Sequence, residues 1–283
     1  MPGITDVHVH IEPYRSLHPE VLESMRTTVP GFDGLARIMD EPRAFLDHLD
    51  AVGVERACLI NYVAREVMGL TEDVNRFVSL YAKEDRRRLI PFGGIDPRRS
   101  KNPKRDVERL ASKLEVGGLK IHPPHQLFAA NAYAEGRMPA LRTIYETAER
   151  LGLPVMVHTG TSIFPGARSK YGDPMALDDV AQDFPNLTVI MAHGGRPLWC
   201  DVAFYLVRRH PNLYLDISSI PPKRLLEWFP RIEEIPDKAL FGSDWPGPGV
   251  PGMREEVDSL RALPLSASLL ERLFVTNARR IFP

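Results

Sequence analysis

The chain has 283 residues, 43% of them hydrophobic, enough for one large core, and its 36 basic and 37 acidic side chains leave a formal charge of −1. That balance argues against a nucleic-acid surface, and the local basic run Lys83 to Arg88 reads as a solvated helix end. Two cysteines, Cys58 and Cys200, are too few and too far apart for a disulfide framework, so a reducing, cytoplasmic setting is expected, with neither a signal peptide nor a membrane span.

Short apolar runs alternate with amphipathic stretches along the whole chain. ITDVHV (4–9) is the first strand expected, and EPRAFLDHLDAVG (41–53) the first clear helix after it. RACLINY (56–62), the helix TEDVNRFVSLYAKE (71–84), LIPFGGI (89–95) and the helix PKRDVERLASKL (103–114) continue the alternation. GGLKIH (117–122), the helix MPALRTIYETAERLG (138–152), LPVMVH (153–158) and LTVIMAH (187–193) follow. The helix DVAFYLVRRH (201–210), LYLDIS (213–218) and KALFGS (238–243) complete the series. The strand candidates are rich in Val, Ile and Leu, as strands buried on both faces are, and several helices close on Gly or Pro.

Eight strand–helix units of about 35 residues each (283/8) predict an α/β fold, a (β/α)8 TIM barrel forming a single domain over residues 1–283. A doubly wound sheet is the rival, but no Gly-rich dinucleotide fingerprint follows the first strand. Loops are expected at 11–40, 123–137 and 159–173; all three follow strands and would rise over one face.

That face is where barrel enzymes place their chemistry, and the residues ending the strands are polar. His8 and His10 end the first strand, Lys120 and His122 the fourth, His158 the fifth, His193 the sixth and Asp244 the eighth. Alternation puts His8 and His10 on one side, and strand eight closes beside strand one. His8, His10, His158 and Asp244 would then form an N3O set with room for water, suited to a catalytic Zn2+ and able to hold Mn2+ or Fe2+. A single strand-end histidine is most often satisfied by backbone; four strands delivering ligand-type residues at one level favour the metal. His18, His48 and His210 lack that placement and are expected on surfaces or helix faces. Asp6 is expected on the His8 face, either orienting a ligand or capping the strand. Asp216 and Ser218 have the level for a pocket role, with pairing of Asp216 to a neighbouring Lys or Arg as the alternative.

DVHVH, GGLKIHPP, LPVMVHTG, VIMAHGG, ALFGSDWP and VTNARRIF, in this order and spacing, resemble the amidohydrolase superfamily, specifically its amidohydrolase-2 group, over nearly the whole chain. The resemblance implies a metal-dependent hydrolase or a non-oxidative decarboxylase of aromatic or unsaturated acids. It implies His8, His10, His158 and Asp244 as metal ligands and His193 as an acid/base residue; a homo-oligomer is expected from it alone. Binuclear members place a carboxylated lysine where Lys120 stands. Lys120 is thus open to three readings: a substrate-anchoring or solvent-facing ammonium, a bridge between two ions, or a purely structural group. One ion is the expectation, and a second is left open. Either His122 or His125 is expected to line the pocket.

In the hydrolytic reading, Asp244 accepts a proton from an activated water while His193 polarises the carbonyl. In the carboxy-lyase reading, the ion chelates the substrate carboxylate, and Asp244 or His193 protonates the ring carbon. Phe164, Trp245, Arg168, Lys170 and Arg196, in loops after strands, together suggest a flat or aromatic small-molecule substrate bearing an anion, with a surface role as the alternative for each taken singly. A Schiff-base aldolase on Lys120 is the reading from another class, and it leaves the histidines unexplained.

Overall fold

The computed structural model describes residues 3–134 and 136–283. Its strands are β1 (Thr5–Val9), β2 (Arg56–Leu59), β3 (Leu89–Gly93), β4 (Gly118–Ile121), β5 (Val155–His158), β6 (Val189–Ala192), β7 (Leu213–Asp216) and β8 (Ala239–Leu240). They pair in parallel, in sequence order. The ring closes because the Val7 amide donates to the Phe241 carbonyl (2.9 Å), Asp244 to His8 (2.9 Å) and His10 to Trp245 (2.8 Å). The chain is therefore the expected (β/α)8 barrel.

Each expected strand forms, but several end sooner than their apolar runs. Apolar character continues past the last ladder bond, where the chain is already turning over the rim. The expected helices form at Pro42–Val52, Asp73–Ala82, Pro103–Lys113, Pro139–Leu151 and Cys200–Arg209. Local chemistry sets their ends: Asn102 accepts the Arg105 amide ahead of Pro103, and Gly53 and Gly152 take φ of 78° and 66° at C-termini. The expected loop 11–40 instead holds the helices Pro19–Thr28 and Ala36–Asp40. Pro19 starts the first of them, and Val21 and Met25, one turn apart, bury a single face. Among the described residues no helix is long and apolar enough to cross a membrane.

Two apolar layers divide along the strands. Leu59, Leu89, Leu119, Val155, Val157, Val189, Leu213 and Leu215 belong to the layer shared with the surrounding helices. Their alternating neighbours Cys58, Ile90, Phe92, Met156, Ile190 and Leu240 pack with one another as the barrel's interior, sealed by Ala278 and Phe282 of the C-terminal segment. β1 breaks the alternation. Against β2 its register moves from Asp6↔Ala57 to Val9↔Leu59, three steps against two. This bulge lets consecutive residues turn inward: Val7 joins the apolar interior, and His8 joins the polar layer above it.

Candidate active site

The rim of the barrel opens into a cavity of about 300 Å³, lined by residues from all three of the long loops as well as from the strand ends. At its base His8, His10 and Asp244 bring one ligand atom each within 4.8 Å of one another. His10 Nε2 lies 3.2 Å, and His8 Nε2 3.4 Å, from Asp244 Oδ1. Both rings are aimed from behind. His8 Nδ1 meets Asp216 Oδ2 at 2.6 Å and Ser218 Oγ at 3.1 Å, while His10 Nδ1 meets Glu12 Oε1 at 3.2 Å. A carboxylate on one imidazole nitrogen leaves the other nitrogen's lone pair for the centre, as metal-binding histidines require.

Backbone geometry serves the same end. Asp244 and His193 both take φ of 65°, a left-handed conformation uncommon for non-glycine residues and concentrated at functional sites. Gly242 lets β8 press against this layer: a Cβ there would stand 2.5 Å from Asp216 Oδ1 and 2.7 Å from His8 Cβ.

His158 is not within the triad's 4.8 Å grouping. Its ring sits 4.6 Å from that of His193, which is 4.7 Å from that of His8. His158 Nε2 is buried without a hydrogen-bond partner among the described residues, which is what a nitrogen free for a ligand bond looks like. Lys120 is buried, and its Nζ donates toward His8 Nε2 at 3.3 Å, which removes the solvent-facing reading. His122 and His125 both line the cavity, and His122 stacks between His125 (3.6 Å between ring centres) and His158 (3.9 Å).

Charge follows burial. Desolvation holds His8, His158 and His193 below the usual imidazole range, so all three are neutral, metal-ready rings. Burial also lowers His10, but hydrogen bonds that the ring donates to the Asp244 and Glu12 carboxylates outweigh it and raise the ring to about 9. For Asp244 burial is likewise outweighed, by the His10 hydrogen bond and neighbouring positive charge, so the carboxylate stays ionised. Burial lowers Lys120 to about 8. His193 Nδ1 lies 3.1 Å from the Ser218 carbonyl, which can only accept; a neutral His193 thus carries its proton on Nδ1 and offers Nε2 as an acceptor.

A family model described as Amidohydrolase matches residues 5–283. The chain belongs to the amidohydrolase family. It is accordingly an enzyme of a family of metal-dependent hydrolases and carboxy-lyases. No curated protein matches this amidohydrolase. Among solved structures it is similar to an uncharacterized TIM-barrel protein from Bordetella bronchiseptica, at 21% identity over 99% of this chain and 98% of that one, TM-score 0.74. It is similar to a dihydroxybenzoic acid decarboxylase from Polaromonas sp. with bound manganese and the inhibitor 2-nitroresorcinol, at 18% identity over 100% and 97%, TM-score 0.70. A probable 2-pyrone-4,6-dicarboxylic acid hydrolase from Acinetobacter baumannii with citric acid bound follows, at 14% identity over 99% of each chain, TM-score 0.68. At these identities the likeness is one of fold.

Several expectations change in this amidohydrolase. Trp245 does not face the cavity: it is buried, with its ring 4.7 Å from His48 and 6.0 Å from Phe45, because the turn after Asp244 directs it into the outer layer. Arg168 and Lys170 are exposed and off the cavity, whereas Phe164 and Arg196 line it. Asp6 Oδ1 accepts the His8 and Ser243 amides, so it ties β1 to the end of β8 and touches no imidazole. Asp216 pairs with His8, not with a lysine or arginine. His18 bonds the Arg65 carbonyl (2.8 Å) and His210 bonds Asp178 (2.7 Å), away from the centre. Glu12 was absent from the sequence expectations; its signal is the continued alternation in HVHIE, two residues beyond His10.

Proposed function

We propose that this amidohydrolase is a metal-dependent hydrolase acting on the carbonyl of a small substrate that carries a carboxylate elsewhere. The observation that carries this reading is Arg196. Its guanidinium lines the cavity, is half-buried, and spends its bonds on neutral groups, the Thr161 carbonyl (3.2 Å) and Ser219 Oγ (2.7 Å). A half-buried cation with no ion pair to a carboxylate among the described residues is a seat for an anion. Arg196 feels the charge of Asp244 without an ion pair to it, so a carboxylate seated on Arg196 would be one end of the substrate and the carbonyl presented to His8, His10 and Asp244 the other, the reacting pole.

His8, His10 and Asp244 would hold one divalent cation, with His158 Nε2 completing the donor set; zinc suits three imidazoles and a carboxylate, and manganese is the alternative. Such an ion supplies Lewis acidity for the carbonyl and makes water acidic enough to ionise near neutrality. Asp244, ionised, accepts the proton of the attacking water and returns it to the leaving group. His193 Nε2 is a further acceptor that orients the water, a different role from carbonyl polarisation, for which it lacks the proton. Lys120 supplies a cationic donor for charge developing on the carbonyl oxygen, and His122 contacts the substrate. The two cysteines are free and buried, in keeping with a cytoplasmic enzyme.

A carboxy-lyase is the second reading, favoured by the fold shared with the dihydroxybenzoic acid decarboxylase. Metal analysis followed by assay on lactones and aromatic carboxylates in labelled water separates the two. Solvent oxygen in the product supports hydrolysis; release of CO2 without such incorporation overturns it.

A further inference from the structure

One wall of the cavity carries Tyr62, His125 and Ser162, none of which the chemistry above uses. Their polar atoms form a chain: Tyr62 Oη lies 2.9 Å from His125 Nδ1, and His125 Nε2 lies 2.7 Å from Ser162 Oγ. Such a chain can run either way. If serine donates to the ring, Ser162 resembles a nucleophile beside a base, and the tyrosine oxygen receives the Nδ1 proton. If tyrosine donates to the ring, the imidazole proton sits on Nε2 and points at serine.

Burial decides the direction. Tyr62 is 2% exposed, and desolvation drives its phenol well above the usual range, so the proton stays on oxygen. His125 Nδ1 is the acceptor its hydroxyl reaches among the described residues. Running the chain the other way would strand that proton in a dry site, which buried polar groups avoid. Burial also lowers His125 to about 3, so the ring is neutral and has one proton to place. Ser162 therefore accepts from His125, and it accepts from the Phe164 amide as well, at 3.4 Å. With both lone pairs taken, what remains is its O–H, and Ser162 is the half-buried member that faces the cavity. It has no base to activate it. Next to it in sequence, the Thr161 carbonyl holds the Arg196 guanidinium.

We propose that Ser162 is a specificity-determining donor, its hydroxyl proton directed into the cavity by the Tyr62–His125 relay to select substrates with an acceptor oxygen beside the carboxylate seated on Arg196. The inference rests on the reading of Arg196 as the anion seat. Carbonyl, ether or second carboxylate oxygens fit the site, and alkyl or ammonium groups do not.

The test uses the metal-loaded protein and two near-isosteric pairs, 2- and 3-acetylbenzoate against 2- and 3-ethylbenzoate, titrated calorimetrically. In at least one pair the acetyl compound binds about tenfold more tightly, the worth of one hydrogen bond. Ser162→Ala brings that ratio to about one, leaving the ethyl compound within twofold. Tyr62→Phe does the same although the serine is still present, because His125 is then free to take the other tautomer. The double variant loses no more than either single one. Nitrogen NMR of the imidazole shows the Nε2–H form of His125 in the wild type and not in Tyr62→Phe. Equal affinities within both wild-type pairs, discrimination surviving Tyr62→Phe, or an Nδ1–H ring overturns the relay. If no benzoate binds and Arg196→Met changes nothing, the anion seat itself has failed and the selection with it, an outcome distinct from loss of discrimination among ligands that bind.

Discussion

Below the level of His158 the barrel interior is Val7, Cys58, Ile90, Phe92, Met156, Ile190 and Leu240, closed underneath by Phe282, whose ring meets that of Phe92 at 5.8 Å. Immediately above lie His8, Lys120, His158, His193, Asp216 and Asp244, equally buried but with an unpartnered imidazole nitrogen, a lysine amine shifted to about 8 and two non-glycine residues at left-handed φ. The strands of one barrel and the turns that follow them supply both layers. The lower one is what a stable barrel needs, and the upper one is costly to bury unless something binds there. The difference teaches that stability and activity are separated by height in this barrel, so substitutions should separate them too.

The sharpest break is at Asp244. Asp244→Asn should lower turnover about a thousandfold, the range for loss of a positioned acid–base group, while circular dichroism and the melting curve stay near wild type. On the floor the reverse is expected: Phe282→Ala should cost about 3 kcal/mol of stability in denaturant titration, with turnover per folded molecule unchanged. Asp216→Ala tests whether aiming His8 matters. Metal affinity measured by chelator competition should fall by about 10- to 100-fold, with the barrel intact. Arg196→Met should raise KM about tenfold for a carboxylate substrate with little change in kcat, separating the anion seat from the reacting pole.

The smallest effect sharpens the comparison on the outer side. Burial raises the carboxyl of Glu256 from 4.5 to about 7, with repulsion from Asp6 and Asp244 adding to it. The folded state then holds a proton that the unfolded chain releases, so this group's stabilising contribution is present below about 4.5 and is lost as pH rises toward 7. Glu256→Gln should flatten that slope, worth about 1–2 kcal/mol, in urea titrations across the window.

Much of this was legible without coordinates. Alternating apolar runs have only a few ways to bury both faces of eight strands, so composition and period lead to the barrel, and the polar residues ending those runs lead to its rim. His8, His10 and Asp244, the last of them 234 residues after His10, were grouped by that logic. Trp245 was misplaced because a loop residue beside a site can turn either way, and no sequence period governs a turn. Glu12 lies where alternation continues past the end of the ladder, and Asp6 where the β1 bulge interrupts it.

The residue pattern by itself determined the barrel, its chemical rim and the family, because strand period and strand order follow from local spacing. Tertiary structure decided that Val7 and His8 both turn inward, that Asp216 stands behind His8, that Arg196 makes no ion pair with a carboxylate among the described residues, and that a tyrosine, a histidine and a serine align in one wall. Those are relations between side chains from different strands and loops, set by register, burial and hydrogen-bond direction, and a linear sequence encodes them only through the packed whole.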